Sequence, residues 1–101
     1  MTEYEAVARL DEIAPGALAC VRVGEQDLAL ARVGDEVYAV DGHCIHLQGP
    51  LCEGRLDGYV LTCPWHGWQY DVRTGENEFD RAIVLETYPV RIEDGEIQVS
   101  L

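Results

Sequence analysis

Short runs of strand-forming apolar residues, alternating with polar ones toward the end of the chain and closed by glycines or Asp-Gly pairs, fill both ends of the sequence. Residues 4–9, 18–23, 27–33 and 36–41 are rich in Val, Leu, Ala and Tyr, and Val23-Gly24-Glu25 and Val33-Gly34-Asp35 punctuate them. Such residues suit a pleated, half-buried surface, and the glycines supply the turns, so the pattern predicts meander strands. Near the end, Tyr88, Val90 and Ile92 alternate with Pro89, Arg91 and Glu93. After Asp94-Gly95, Ile97, Val99 and Leu101 alternate with Gln98 and Ser100. Two period-two runs joined by a two-residue Asp-Gly turn predict a hairpin. No helix of ordinary length is indicated; Asp11-Glu12-Ile13 before Pro15 allows one turn at most.

Between these ends, residues 42–80 concentrate Gly, Pro, Trp, His and three of the four cysteines. Within the stretch, Tyr59 to Thr62 reads as a strand entered by Asp57-Gly58, and Trp68 to Val72 as another after Gly67. The expected architecture is a single all-β domain over residues 1–101, a small antiparallel sandwich with 42–80 as a subdomain inserted in it. At 101 residues there is room for one hydrophobic core and not two.

Charge narrows the choice of partners. Nineteen acids face seven bases, all arginine, for a formal net charge of -12. Nucleic acid and anionic membranes are therefore not expected partners, whereas a basic protein face is. Within 41–80 the acids Asp41, Glu53, Asp57, Asp71, Glu76, Glu78 and Asp80 outnumber Arg55 and Arg73. Steering by this region should weaken as salt rises. The first ten residues carry Glu3 and Glu5 and do not read as a signal peptide, and no segment is long and apolar enough for a membrane span. A cytoplasmic protein is expected, with Cys20, Cys44, Cys52 and Cys63 as ligands or free thiols rather than disulfides.

The chemistry lies in Cys44-Ile45-His46 and Cys63-Pro64-Trp65-His66, a C-x-H and a C-x2-H separated by sixteen residues. A Cys and a His so close can aim at one centre only if the backbone curls, and Gly42, Gly49, Pro64 and Gly67 supply the curvature. Two thiolates and two imidazoles suit tetrahedral Zn²⁺ as well as iron, so ligand type alone leaves both open. Zinc fingers, however, usually pair Cys with Cys and His with His.

One cysteine and one histidine per loop resembles the Rieske family, in which two histidines replace two cysteines on one iron of a [2Fe-2S] cluster. Cys44-Ile45-His46-Leu47-Gln48-Gly49-Pro50-Leu51 and Cys63-Pro64-Trp65-His66-Gly67-Trp68-Gln69-Tyr70-Asp71 follow the family pattern. Thr74-Gly75, Tyr88-Pro89-Val90 and Asp94-Gly95 resemble the tail of bacterial Rieske ferredoxins. The resemblance implies one cluster, with Cys44 and Cys63 on the inner iron and His46 and His66 on the outer. It also implies a cluster-binding subdomain made of two loops on a three-stranded piece. Neutral imidazoles leave the oxidised centre uncharged where four thiolates would leave a dianion, so the electron enters more easily. Each bound imidazole keeps a ring N–H, so the potential is expected to fall with pH on the alkaline side.

Respiratory Rieske proteins carry a further cysteine in each loop and cross-link them; the matching positions here are Gly49 and Trp65. Their serine donor to the cluster is replaced by Trp68, while their tyrosine is kept as Tyr70. One lost donor points to the lower part of the Rieske range of about -150 to +300 mV. Tyr70 reads equally as that donor and as core packing. His43 reads as a surface residue, Cys20 and Cys52 as buried small hydrophobes, and Trp65 and Trp68 as shields or plain core. Relatives close the third side of the cluster with a proline loop, absent here near Phe79-Asp80-Arg81.

By the resemblance the chain carries single electrons and turns over no substrate, as the ferredoxin component of a ring-hydroxylating dioxygenase. Its partners would be a flavin- and NAD(P)H-dependent ferredoxin reductase and a terminal oxygenase, docking at the His46/His66 tip. A diiron monooxygenase ferredoxin, the small subunit of an assimilatory nitrite reductase and a colourless zinc module are the alternatives.

Overall fold

A computed structural model describes residues 3–45, 49–65 and 67–101. The described residues form β1 (Glu5–Arg9), β2 (Leu18–Val23), β3 (Gln26–Val33), β4 (Glu36–Asp41), β5 (Arg55–Asp57), β6 (Val60–Thr62), β7 (Gln69–Asp71), β8 (Thr87–Tyr88), β9 (Val90–Glu93) and β10 (Glu96–Val99). Two 3-10 turns, Leu10–Glu12 and Leu51–Glu53, interrupt them. The strands make three antiparallel sheets in the orders β1-β10-β9, β2-β3-β4-β8 and β5-β6-β7.

β3 sits in the middle of the molecule. Leu28, Ala29, Leu30 and Ala31 are all buried, and strand alternation sends them to two different cores. Leu28 and Leu30 join Ile13, Val23, Val37, Ile97 and Val99, the interior between the first two sheets. Ala29 and Ala31 join Leu51, Leu61, Tyr70, Val72 and Leu85 with Cys44 and Cys63. Methyl-sized side chains on that face let the three-stranded unit approach the central sheet closely. Each fully buried leucine contributes about 2 kcal/mol, so both interfaces are substantial.

The β9–β10 hairpin forms as expected, and Asp94 at φ 51 and Gly95 at φ 77 give both turn residues the left-handed backbone that matches strand twist. The run from Tyr88 to Glu93 is not one strand, however. It changes sheets at Pro89: Tyr88 pairs with Ala39 of β4, while Val90 pairs with Val99 of β10. Proline cannot donate to a ladder, so the break falls there.

The expectation for Cys20 and Cys52 is overturned. They form a disulfide across 32 residues of sequence, with Cα atoms 5.1 Å apart, and Cys20 is exposed rather than buried. Cys20 lies opposite Ala29 in the β2–β3 ladder and so shares the face that the three-stranded unit covers. Because β2 is the edge strand of its sheet, that face is partly open there, and the Leu51–Glu53 turn brings Cys52 against it. The inference from a reducing compartment to unpaired thiols fails for Cys20 and Cys52.

Candidate metal centre

Two loops carry the expected ligands, and backbone hydrogen bonds shape each. After β4, the His43 N–H donates to Asp41 Oδ1 at 3.0 Å and the Gly42 N–H to the Asp27 carbonyl at 2.9 Å. A Cβ on Gly42 would lie 2.7 Å from that carbonyl oxygen, so only glycine allows the approach. The loop closes where the Cys44 N–H donates to the Gly49 carbonyl at 2.9 Å. Between β6 and β7, the Cys63 N–H donates to the Trp68 carbonyl at 2.7 Å and the Trp65 N–H to Cys63 Sγ at 3.4 Å.

Cys44 and Cys63 lie outside the disulfide, and both are 1% exposed. Burial pushes the Cys63 thiol up, the Trp65 N–H opposes the shift, and the neighbouring Cys44 sulfur adds to it. A thiol held this way becomes a thiolate when a cation compensates its charge, which is the condition for a metal ligand. A Cβ at Gly49 would sit 2.9 Å from Cys63 Sγ and 3.1 Å from Trp65 Cγ, so the loops face each other across a point that admits no side chain. The indole of Trp65 thus lies against Gly49, the pair of positions that the resemblance matches to a cross-linking disulfide.

Tyr70 is both things its position allows. It is fully buried, and its Oη lies 3.2 Å from Cys44 Sγ. Burial first, and the Cys44 sulfur second, push its phenol well above the usual range, so it stays protonated and can donate. His43 turns away to Asp27 Oδ2 at 3.4 Å, as expected of a surface residue. Trp65 is half exposed and Trp68 partly buried. Among the described residues no three His, Cys, Asp or Glu side chains converge, and the expected ligands His46 and His66 lie outside those residues. The residues present nevertheless fit the cluster: two buried thiols on facing loops, with N–H and O–H donors at their sulfurs.

Asn77 was not among the sequence candidates. It is 2% exposed, stands opposite Tyr70 in a β-bridge, and accepts N–H bonds from Phe79 at 2.8 Å and Asp80 at 3.0 Å through Oδ1. These bonds fix the backbone of residues 77–80, where the resemblance leads one to expect a proline. The only local signal was an uncharged amide in a run of acids, two residues before an aromatic.

Just beyond Tyr70, Asp71 accepts hydrogen bonds from Arg73 at 3.0 and 2.8 Å, and Arg73 also lies over the Tyr59 ring. The guanidinium holds the Asp71 carboxyl below its usual value, with burial opposing and the Arg73 N–H assisting. A depressed carboxyl stabilises the fold above the unfolded value of about 3.9 and loses that contribution as pH falls through the folded one. Asp71→Asn should therefore lower the denaturation midpoint at neutral pH and leave it near wild type in strong acid. An equal deficit at both pH values would contradict this.

Small antiparallel sheets with one buried thiol on each of two facing loops define a small β domain with a candidate metal centre. The family model for the Rieske [2Fe-2S] domain matches residues 3–89, and the chain belongs to that family. Ferredoxin CarAc of Metapseudomonas resinovorans is 38% identical over 93% of this chain and 90% of its own. The ferredoxin component of the alkene monooxygenase system of Xanthobacter autotrophicus is 32% identical over 96% of this chain and 80% of its own. Among solved structures, the complex of reduced oxygenase and oxidised ferredoxin in carbazole 1,9a-dioxygenase contains a chain 37% identical, with a TM-score of 0.87 over 96% of this chain and 92% of that one.

Proposed function

We propose that this ferredoxin takes single electrons from a flavin- and NAD(P)H-dependent reductase and delivers them to a terminal ring-hydroxylating oxygenase. Cys44, His46, Cys63 and His66 hold its [2Fe-2S] cluster, with residues 42–80 as the subdomain that carries it. The observation behind this reading is the division of the cysteines: Cys20 and Cys52 are bonded to each other, while Cys44 and Cys63 are buried thiols on facing loops. When bound, the cluster accepts and returns one electron at a time. The chain's own part is electrostatic. The Tyr70 O–H at Cys44 and the Trp65 N–H at Cys63 draw charge from the sulfurs and so favour the state with the extra electron.

The working surface is the tip formed by the two loops, with His46 and His66 as the electron's exit. Ile45, Trp65 and Phe79 are 45%, 50% and 76% exposed, each one or two residues from Cys44, Cys63 or Asn77. Exposed Glu53, Glu78 and Asp80 belong to the same region of sequence, which suits an oxygenase face that is apolar at its centre and basic at its rim. Transfer rates to the partner should fall as salt is raised from about 0.01 to 0.5 M. A rate indifferent to salt would remove the basic rim.

Metal and acid-labile sulfide analysis with a visible spectrum tests the ligand set. Wild-type protein should be coloured and hold iron and sulfide. Cys44→Ser, Cys63→Ser, His46→Ala and His66→Ala should each lose most of the colour, whereas Cys20→Ser and Cys52→Ser should keep it. A colourless, zinc-loaded wild type would refute the reading. An alkene monooxygenase as the partner is the second reading, resting on the similarity reported above; reconstitution with each oxygenase type separates the two.

A further inference from the structure

Tyr70 and Asn77 face each other across the bridge that extends the β5–β6–β7 sheet. The flanking bonds run from Asp71 N–H to the Glu76 carbonyl and from Glu78 N–H to the Gln69 carbonyl, both 2.9 Å. Residues 70 and 77 are therefore a non-hydrogen-bonded pair, the kind whose side chains leave the same face at closest approach. Both are buried, at 0% and 2% exposure.

Two backbone N–H groups, of Phe79 and Asp80, hold Asn77 Oδ1 and fix the plane of its carboxamide. At the other end of that plane Nδ2 is buried and makes no hydrogen bond of normal geometry. The cross-strand register sets the Tyr70 side chain on the same face beside it, and the Asn77 amide and the Ile45 N–H both favour negative charge on the Tyr70 oxygen. A phenol has one proton to give and lone pairs to receive. Donors facing the lone pairs leave the proton to the remaining acceptor, Cys44 Sγ at 3.2 Å.

We propose that Asn77 is a positioning residue for electron transfer: anchored through Oδ1 to the 78–80 backbone, its Nδ2 group directs the Tyr70 hydroxyl onto the Cys44 sulfur. The idea rests on Cys44 as a cluster ligand. It also gives the 77–82 loop a task that its lack of proline leaves open, since the loop's fold and the donor at the sulfur then depend on one side chain. A bond from the phenol to the sulfur stabilises the reduced state, so the orientation of Tyr70 sets part of the potential.

The test is a double-mutant cycle read as reduction potential on cluster-loaded protein, with iron and sulfide measured for every variant. Asn77→Asp keeps the oxygen that caps the loop and replaces the donor by an acceptor, which captures the Tyr70 proton. It is expected to lower the potential at least as far as Tyr70→Phe does. In a Tyr70→Phe background the same substitution should add only the smaller shift of its charge. Asn77→Ser, uncharged and too short to reach the phenol, is the second arm and covers a failure of the aspartate variant to load. It should lower the potential when Tyr70 is present and leave it unchanged in the Tyr70→Phe background. Equal shifts in both backgrounds, or none in either, would reduce Asn77 to a loop cap and overturn the proposal. Wild-type protein without iron and sulfide would instead overturn the cluster assignment beneath it.

Discussion

Replacing Cys20 or Cys52 by serine should lower the folding free energy by about 3.5 kcal/mol, read as a fall in urea midpoint. The bond closes a loop between residues 32 apart, and cross-linking a loop of that length removes a corresponding amount of entropy from the unfolded chain. The structure gives a reason for the loss to be felt in the native state too. Cys52 belongs to the turn that follows the first ligand loop, and Cys20 to an edge strand with a free side. Unfastened, the turn retains Leu51 as its buried anchor. Thiol titration of unfolded, metal-free protein offers a direct check, with Cys44 and Cys63 reacting before reduction and Cys20 and Cys52 only after it. Four thiols reactive from the start would contradict the bond.

Gly54→Ala should cost about 3 kcal/mol and reduce cluster occupancy as well. A Cβ at Gly54 would lie 2.0 Å from the Thr62 carbonyl oxygen and 3.1 Å from that of Leu51. Neither is a flexible side-chain end, so relief requires the β6 backbone to move. Thr62 is the residue before Cys63, and the displacement passes directly to that proposed ligand. Gly58→Ala is the control. Gly58 sits at φ 61 with open space around it, so alanine there meets only the backbone penalty of about 1 kcal/mol and leaves the cluster in place. An iron content equal in the two variants would break the link between Gly54 and Cys63.

The strands with a strong pattern were legible in the sequence. β2 and β4 have the bounds that their Val-, Leu-, Ala- and Tyr-rich runs and flanking glycines predict, and the Asp94-Gly95 turn has the backbone its residues favour. β5 was not, because Arg55-Leu56-Asp57 is too short for any period to register. β8 was merged with β9, since alternation continues through Pro89 while pairing does not. Cys44 and Cys63 could be singled out from their spacing to a histidine because each loop is local, and the structure buries both thiols. The Cys20–Cys52 bond joins positions with no local signal, and Asn77 gains its place only when the register sets it opposite Tyr70. Local chemistry is written in neighbouring letters, whereas cross-strand chemistry appears only after the sheet is built.

The pairing of Cys20 with Cys52 also bears on how the holoprotein is assembled. Any other bond among the four cysteines consumes Cys44 or Cys63 and so, on the proposed ligand set, leaves a chain that cannot accept its cluster. A newly made chain that closes Cys20–Cys52 first retires the two cysteines able to compete for Cys44 and Cys63. What remains in the loops is a matched pair of thiols, kept available for iron and sulfide until they are delivered. The cystine would then act as a safeguard of maturation, closing off every pairing of Cys20 or Cys52 with a loop thiol.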